Sequence, residues 1–452
     1  MKNVALHNLG CKVNSYEMEV MQQMLQENGY RIVPFDTRAD IYIVNTCTVT
    51  NIADRKSRQM LHRAKSLNPD AVVVAVGCYV QTAGEKILSD ASVDLAIGNN
   101  RKKDLVPILE EFLAQKEKEK TLSGKTIIDI NHTDEYEEME LKHTAEHTRT
   151  YIKIQDGCNQ FCSYCAIPLA RGRVRSRKPE DILSEVRRLT QAGYQEIILT
   201  GIHISSYGID FEEEKIAPAQ YFKKSRLIDL VESVHKEEGV KRLRLGSLEP
   251  RIITKENVER LSVLPKLCPH FHLSLQSGCD ETLQRMNRHY TTGEYYEGVR
   301  LLREAFDRPA ITTDVIVGFP GETDEEFETT ERFLEKVKFY EMHIFKYSRR
   351  EGTRAAAMKE QVPEALKTLR SGRLLEMERR QSKQFRAKYI GKEAEVLFEE
   401  KKVQNGQTIW LGHTPDYVKV ALESEQILSN CMKKVEITGF LTDEILNCKT
   451  TD

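Results

Sequence analysis

No stretch of this 452-residue chain stays apolar for the roughly 20 residues that a membrane-spanning helix needs. The opening residues, Met1-Lys-Asn-Val-Ala-Leu-His7, also lack the long apolar run of a secretory signal. A surplus of one charge is missing as well. The 67 Lys and Arg face 69 Asp and Glu, for a formal net charge of −2. That balance excludes a histone-like coat of positive charge but leaves room for a local basic patch. No internal repeat and no low-complexity tract is present, so solenoid and array architectures drop out. Without an export signal or a membrane partner, the ten cysteines are expected in the reducing cytoplasm. There, grouped cysteines point to metal or catalysis rather than to disulfides.

The length suffices for two or three cores, and the hydrophobic pattern divides the chain accordingly. Val4–Leu9, Ile41–Val44 and Ala71–Val76 read as strands, separated by an amphipathic stretch from Ser15 to Gly29 and a basic helix over Ile52–Leu67. Strands alternating with helices predict a parallel α/β sheet domain over residues 1–115. The charged text Gln115-Lys-Glu-Lys-Glu-Lys120 and the polar run Asn131–Thr150 predict a linker over 116–143. A second series follows, with strands at Tyr151–Gln155, Glu196–Thr200, Lys241–Gly246, His270–Leu275, Thr313–Gly318 and Met342–Tyr347, and helices such as Pro179–Ala192 and Glu325–Val337. Six strand–helix units are too few for a full eight-fold barrel, so an open, partial barrel is expected over 144–375. After a charged helical stretch from Pro363 to Ile390, short β-patterned runs (Glu393–Phe398, Thr408–Leu411, Tyr417–Ala421, Lys434–Gly439) predict a small β-barrel over 380–445.

The sharpest motif is Cys158-Asn-Gln-Phe-Cys162-Ser-Tyr-Cys165, directly after the first strand of the second region. Three thiolates at this spacing can wrap one face of an iron–sulfur cube, which takes four cysteines in ordinary electron carriers. Three leave one iron open. The competing zinc site normally needs a fourth ligand and favours paired C-x₂-C units, and no such partner pair follows. A second set is topological. Cys11, Cys47 and Cys78 each lie just past a predicted parallel strand, and loops at those strand ends open on one edge of an α/β sheet. They are candidate metal ligands, although three unrelated buried thiols remain the plain alternative. Cys268, Cys279, Cys431 and Cys448 have no comparable setting and read as packed or incidental thiols.

Taken together these residues resemble the radical S-adenosylmethionine methylthiotransferase family, and the resemblance runs through the whole chain. Leu9-Gly-Cys-Lys-Val-Asn14 and Asn45-Thr-Cys-Thr-Val-Thr50 are similar to the family's N-terminal domain, the C-x₃-C-x₂-C motif to its radical core, and the C-terminal barrel to its RNA-binding TRAM module. Within the family, Asn45–Thr50, Ala53-Asp-Arg-Lys-Ser-Arg-Gln59, Gly77-Cys-Tyr79 and Ile97-Gly-Asn-Asn100 resemble the branch that acts on N6-threonylcarbamoyladenosine at position 37 of tRNA, 3′ of the anticodon. The resemblance implies two [4Fe-4S] clusters and two uses of S-adenosylmethionine. One molecule would methylate sulfur at the cluster on Cys11, Cys47 and Cys78. The other would be cleaved at the cluster on Cys158, Cys162 and Cys165, and its radical would take hydrogen from C2 of adenine. It also implies a low-potential reductant of the flavodoxin or ferredoxin class.

Less firm positions follow. Strand-end segments Thr200–His203, Gly246–Glu249, Leu275–Gly278 and Val317–Glu322 stand where this superfamily contacts its cofactor. From them Ser247, Glu249 and Gln276 are the cofactor-binding candidates, although strand-to-helix turns need the same residue types. The Gly-Gly-Glu motif of many radical enzymes is absent after the second strand. His203 is expected to be a satisfied polar residue and not a catalyst. Arg171, Arg173, Arg175, Arg177 and Lys178, five basic residues in eight, are expected to grip RNA phosphates. Arg55, Lys56, Arg58, His62 and Arg63 form a second basic face, and Phe398, Trp410, His413 and Tyr417 offer stacking surfaces, although more of these aromatics are expected in the core of so small a barrel than on its surface. Rival readings are transfer to isopentenyladenosine tRNA, transfer to a ribosomal-protein aspartate, and a non-catalytic iron–sulfur carrier with an RNA-binding tail.

Overall fold

The computed structural model describes residues 1–118, 124–142, 148–211, 221–222, 225–404 and 406–451. The first region is a six-stranded, all-parallel sheet of β1 (Asn3–Asn8), β2 (Arg31–Val33), β3 (Ile41–Thr46), β4 (Val72–Gly77), β5 (Leu95–Ile97) and β6 (Gly124–Thr126), in the order β2-β1-β3-β4-β5-β6. Every residue of β3 and β4 is buried. Such continuous apolar runs are what a sheet covered on both faces requires. Helices α1 (Lys12–Glu27) and α2 (Asn51–Leu67) follow β1 and β3, and Thr50 caps α2 by accepting the Ala53 N–H.

The segment expected to be a linker lies partly outside the described residues, and the described part is not simple connection. β6 extends the first sheet, and Met139 and Leu141 are buried against the central region. Tyr16 donates to the Met139 carbonyl, and the Leu141 N–H donates to Glu185 at 3.0 Å.

The central region has parallel strands β7 (Arg149–Asp156), β9 (Glu196–Gly201), β10 (Arg242–Leu245), β11 (His270–His272), β12 (Ala310–Val317) and β13 (Glu341–Lys346) in chain order, with β8 (Arg175–Ser176) antiparallel on the edge beside β7. Single bridges join β10 to the segments leading into and out of β11, which makes a curved, partial barrel. Alternation along the strands sorts the two faces. Ile152, Leu199, Leu243 and Val315 join the hydrophobic core. The inner face carries Lys153, Gln155, Glu196, Arg244, His272 and Asp314 instead. Helix α1 packs against β7 and β9, so the N-terminal domain closes this polar interior.

A 24-residue helix, Glu364–Ala387, packs along β13 and leads to the C-terminal barrel. There β14 (Glu393–Gln404), β15 (Gln407–His413), β16 (Lys419–Glu423), β17 (Cys431–Phe440) and β18 (Leu446–Thr450) close in the order β14-β15-β16-β18-β17. The aromatics of the barrel divide between its core and its seam with the central region. Phe398 and Trp410 are buried in the barrel core, because a barrel this small is filled by its own large side chains. Tyr417 and His413 stack at 4.7 Å in the seam with the central region, with the Arg244 guanidinium 4.6 Å above the Tyr417 ring. Arg242 fastens the same seam, donating to the His413 and Glu395 carbonyls at 3.0 Å.

Phe398→Ala should therefore cost about 3–5 kcal/mol of barrel stability, whereas Val403→Ala, at a side chain 70% exposed, should cost within about 0.5 kcal/mol. Hydrogen exchange of the barrel amides measures both.

Candidate functional site

The chain leaves β7 through Gly157, whose φ of +69° is open to glycine. A Cβ there would fall 1.7 Å from the Arg173 carbonyl oxygen. The Asp156 carboxylate accepts the Gly157 N–H at 2.8 Å, and the Cys158 N–H reaches the Gly172 carbonyl at 3.0 Å. These contacts fold the motif into a loop in which Cys162 lies near enough to raise the thiols of Cys158 and Cys165. Burial is the larger cause and pushes Cys158 up to about 12. Against it stand two donors, the Gln160 N–H on Cys158 Sγ at 3.5 Å and Arg288 Nη1 on Cys162 Sγ at 3.2 Å.

The second set forms where three neighbouring strands end. Cys11 is the N-cap of α1 after β1, Cys47 follows β3, and Cys78 opens the short helix α3 (Cys78–Ala83) after β4. Gly77 turns the chain into α3 with a φ of +97°, and a Cβ there would meet Asn45 Oδ1 at 2.5 Å. The Cys47 thiol is pushed up to about 11 by burial, then by Cys78 and Cys11 beside it. Cys11 is exposed to the cavity yet enclosed by protein, and its thiol is raised too. Here again donors aim at sulfur. Arg171 Nε lies 3.3 Å and Asn99 Nδ2 3.6 Å from Cys78 Sγ.

Spacing and donors together test which metal group the two sets fit. A mononuclear zinc site would hold its sulfurs about 3.8 Å apart, given Zn–S bonds of about 2.3 Å. Among the described residues, the one group of metal-ligating side chains whose atoms all lie within 4.8 Å is not a cysteine set. Neither triad therefore has all three sulfurs within 4.8 Å of one another. A cube fits, and the arginine donors suit the negative charge its thiolates bring.

Short helix α5 (Ile167–Arg171) connects the sets. Arg171 ends this helix and reaches Cys78 Sγ. This corrects the expectation that Arg171, Arg175 and Arg177 grip phosphates, since all three are fully buried. Arg171 donates to Glu17 at 2.6 and 2.9 Å, to Asp156 at 3.0 and 3.2 Å, and to Asn14 at 2.7 Å. Lys102 and Lys153 also bind Glu17. Arg175 bonds the carbonyls of Arg171 and Arg173, and Arg177 pairs with Glu185. Buried carboxylates demand buried cations, and Arg171, Arg175 and Arg177 turn inward to meet them. Arg173 and Lys178 alone of the five stay exposed. Burial by itself would raise the Glu17 carboxyl, but Arg171, Lys102 and Lys153 overcome it and hold it well below the carboxylate range.

Of the cofactor candidates, Ser247 is exposed on a cavity of about 600 Å³ that Cys11 and Gly201 also line. Glu249 is buried near Cys158, with Oε1 held by Arg251 at 2.7 Å and Oε2 unpaired among the described residues. Gln276 takes a left-handed φ of 73° and bonds Asp314 and Ile316 through its backbone. His203 Nδ1 lies 2.7 Å from Ser206 Oγ, and burial beside Arg288 and Arg251 lowers its pKa to about 3. It is a neutral, positioned ring. Cys268, Cys279 and Cys448 are buried and Cys431 half-buried, none beside either triad. Sequence reasoning missed Arg288 and Glu17, because neither has a spacing that marks it.

Glu17→Gln should cost about 3–5 kcal/mol, because it strands buried cations. In the parent enzyme the Glu17 contribution is present above the ordinary carboxyl pKa near 4.5 and is lost as pH falls below it. The variant should lose that acid-side slope, and thermal unfolding from neutral pH down to about pH 2 measures both effects.

A profile described as Radical SAM superfamily matches residues 152–334, and one described as Uncharacterized protein family UPF0004 matches residues 3–98. The chain is 39% identical over 438 residues to the threonylcarbamoyladenosine tRNA methylthiotransferase MtaB of Bacillus subtilis, covering 97% of this chain and 94% of that protein. It is 34% identical to the tRNA-2-methylthio-N(6)-dimethylallyladenosine synthase of Moorella thermoacetica, covering 97% and 96%. Among solved structures, the radical S-adenosylmethionine methyltransferase TsrM of Kitasatospora setae matches with a TM-score of 0.55 at 15% identity, covering 78% of this chain and 77% of that one, which speaks to the fold alone. Identity that high along nearly the full length decides the family: the chain belongs to the radical S-adenosylmethionine methylthiotransferases.

Proposed function

We propose that this enzyme attaches a methylthio group to C2 of N6-threonylcarbamoyladenosine at position 37 of tRNA. The observation that carries the substrate is the identity to relatives named for it, 37–39% over 87–97% of the chain, against 32–34% for those named for dimethylallyladenosine. Membership of the family brings S-adenosylmethionine and a [4Fe-4S] cluster. In this reading Cys158, Cys162 and Cys165 hold that cluster, and Cys11, Cys47 and Cys78 hold a second. With the cofactor bound, the first cluster supplies the radical chemistry that an unactivated aromatic C–H requires, which acid–base side chains cannot provide.

The protein's own residues bind, orient and enclose. Glu249 Oε2, unpaired beside Cys158, is placed to accept the ammonium group of S-adenosylmethionine, with Arg251 keeping the carboxylate aimed. Ser247 on the cavity wall and the Gln276 backbone complete the cofactor's setting. Arg288 and Arg171 each offer N–H donors to a ligating sulfur, which favours the thiolate form. Arg171 also fixes the two sites at one separation. The cavity reaching Cys11 gives the adenine a place shielded from bulk water.

The tRNA backbone is assigned to basic side chains that remain exposed. Arg173 and Lys178 flank the radical loop, and Arg55 and Lys56 on α2 make no ion pair among the described residues. The C-terminal barrel serves as an RNA-binding module, and a flavodoxin- or ferredoxin-class protein delivers the electron. No helix among the described residues is long and apolar enough to cross a membrane, and we place the reaction in the cytoplasm with its tRNA.

Deleting the gene and measuring tRNA nucleosides by liquid chromatography with mass spectrometry tests this. The 2-methylthio derivative of threonylcarbamoyladenosine should vanish while its precursor accumulates. Cys11→Ala and Cys158→Ala copies should fail to restore it. An unchanged profile would contradict the substrate.

A further inference from the structure

One cluster of side chains has no part in the chemistry above. His272 on β11, Asp314 on β12 and His343 on β13 stand on three adjacent parallel strands and face the cavity that Cys11 lines. Asp314 pairs directly with His343, and His272 pairs with Thr312, two residues earlier on the same face of β12. Their ligating atoms all lie within 4.8 Å of one another.

The details single out a ligand set. Thr312 Oγ1 holds His272 Nδ1 at 3.0 Å, which turns Nε2 toward Asp314 Oδ2 at 3.4 Å. Nε2 is buried and has no hydrogen-bond partner among the described residues. Two donors each about 2.05 Å from one zinc ion at the tetrahedral angle stand about 3.3 Å apart, close to that separation. The two imidazole rings lie 5.8 Å apart with 26° between their planes. Asp314 pairs with no lysine or arginine among the described residues, so its charge is not already matched by one. Glu341, the next residue on that face of β13, is engaged by Arg386 at 3.1 Å and does not crowd the group.

We infer that His272, Asp314 and His343 form a site for one divalent transition-metal ion of the zinc class on the inner wall of the partial barrel. Two imidazoles and a carboxylate suit such an ion and leave a coordination position open. That position faces the cavity and takes an oxygen ligand. Thr312 is the outer partner that fixes the His272 ring, as such hydrogen bonds do at metal sites. That the oxygen belongs to the substrate's threonyl carboxylate rests on the proposed function, whereas the ion site does not.

The test is calorimetric titration of Zn²⁺ into the full-length enzyme with its iron–sulfur centres loaded, under anaerobic conditions. The expected result is one Zn²⁺ per chain with micromolar or tighter affinity. Asp314→Asn and His343→Ala should abolish that uptake, and Thr312→Val should weaken it about tenfold. Iron and sulfide contents unchanged from the parent show that the variants remain folded. Uptake only in the millimolar range, or equal uptake by Asp314→Asn and His343→Ala, would overturn the site. Neither readout depends on which adenosine is modified, so failure here leaves the substrate reading where it was.

Discussion

A fully buried guanidinium organises this molecule. Arg171 is fully buried, and its donors are spent on Glu17 and Asn14 of the N-terminal domain, Asp156 of the central strand and the sulfur of Cys78. An isolated buried charge costs several kcal/mol, and removing one partner of such a group is strongly destabilising. The N-terminal sheet and the partial barrel therefore cannot slide past each other without exposing or stranding several charges together. The same group ties Cys78 to the loop of Cys158, Cys162 and Cys165, because Arg171 ends the short helix that follows that loop and donates to the Cys78 sulfur. Stability of the domain seam and geometry of the chemistry are one constraint.

The arrangement explains why the inner wall of the barrel is polar. An open sheet with six strands leaves an interior that would normally need apolar filler. Here α1 covers part of it and supplies Glu17 to meet Lys153, while the C-terminal barrel sets Tyr417 against Arg244. What remains is a cavity lined by Cys11, Ser247, His272, Asp314 and His343. Its opening, its histidines and its nearness to the second cysteine set suit a polar nucleoside better than a greasy substrate.

Much of this was legible in the sequence, for definite reasons. Parallel strands buried on both faces read as unbroken apolar runs, so β3, β4 and β9 stand out. The six central strands were found near their observed ends, and three cysteines at three strand ends pointed to convergence because topology, not spacing, puts such ends together. Short edge strands such as β2, β6 and β8 carry two or three residues each and gave no period to read. The basic run from Arg171 to Lys178 misled because charge count says nothing of direction. Arg171, Arg175 and Arg177 turn toward Glu17, Asp156 and Glu185, carboxylates contributed from 15 to 154 positions away or from the next helix, while Arg173 stays exposed. Phe398 and Trp410 fill the barrel core, as expected for most of the aromatics of so small a barrel.

The central claim is that one chain holds two separate three-cysteine iron–sulfur sites at a fixed separation. Iron and sulfide analysis with Mössbauer spectroscopy on anaerobically reconstituted protein tests it most directly. The account predicts about eight iron per chain, falling by half when Cys11, Cys47 and Cys78 are replaced by alanine, and by half when Cys158, Cys162 and Cys165 are replaced instead. A parent protein with about four iron, all lost on replacing one set and none on replacing the other, would contradict it.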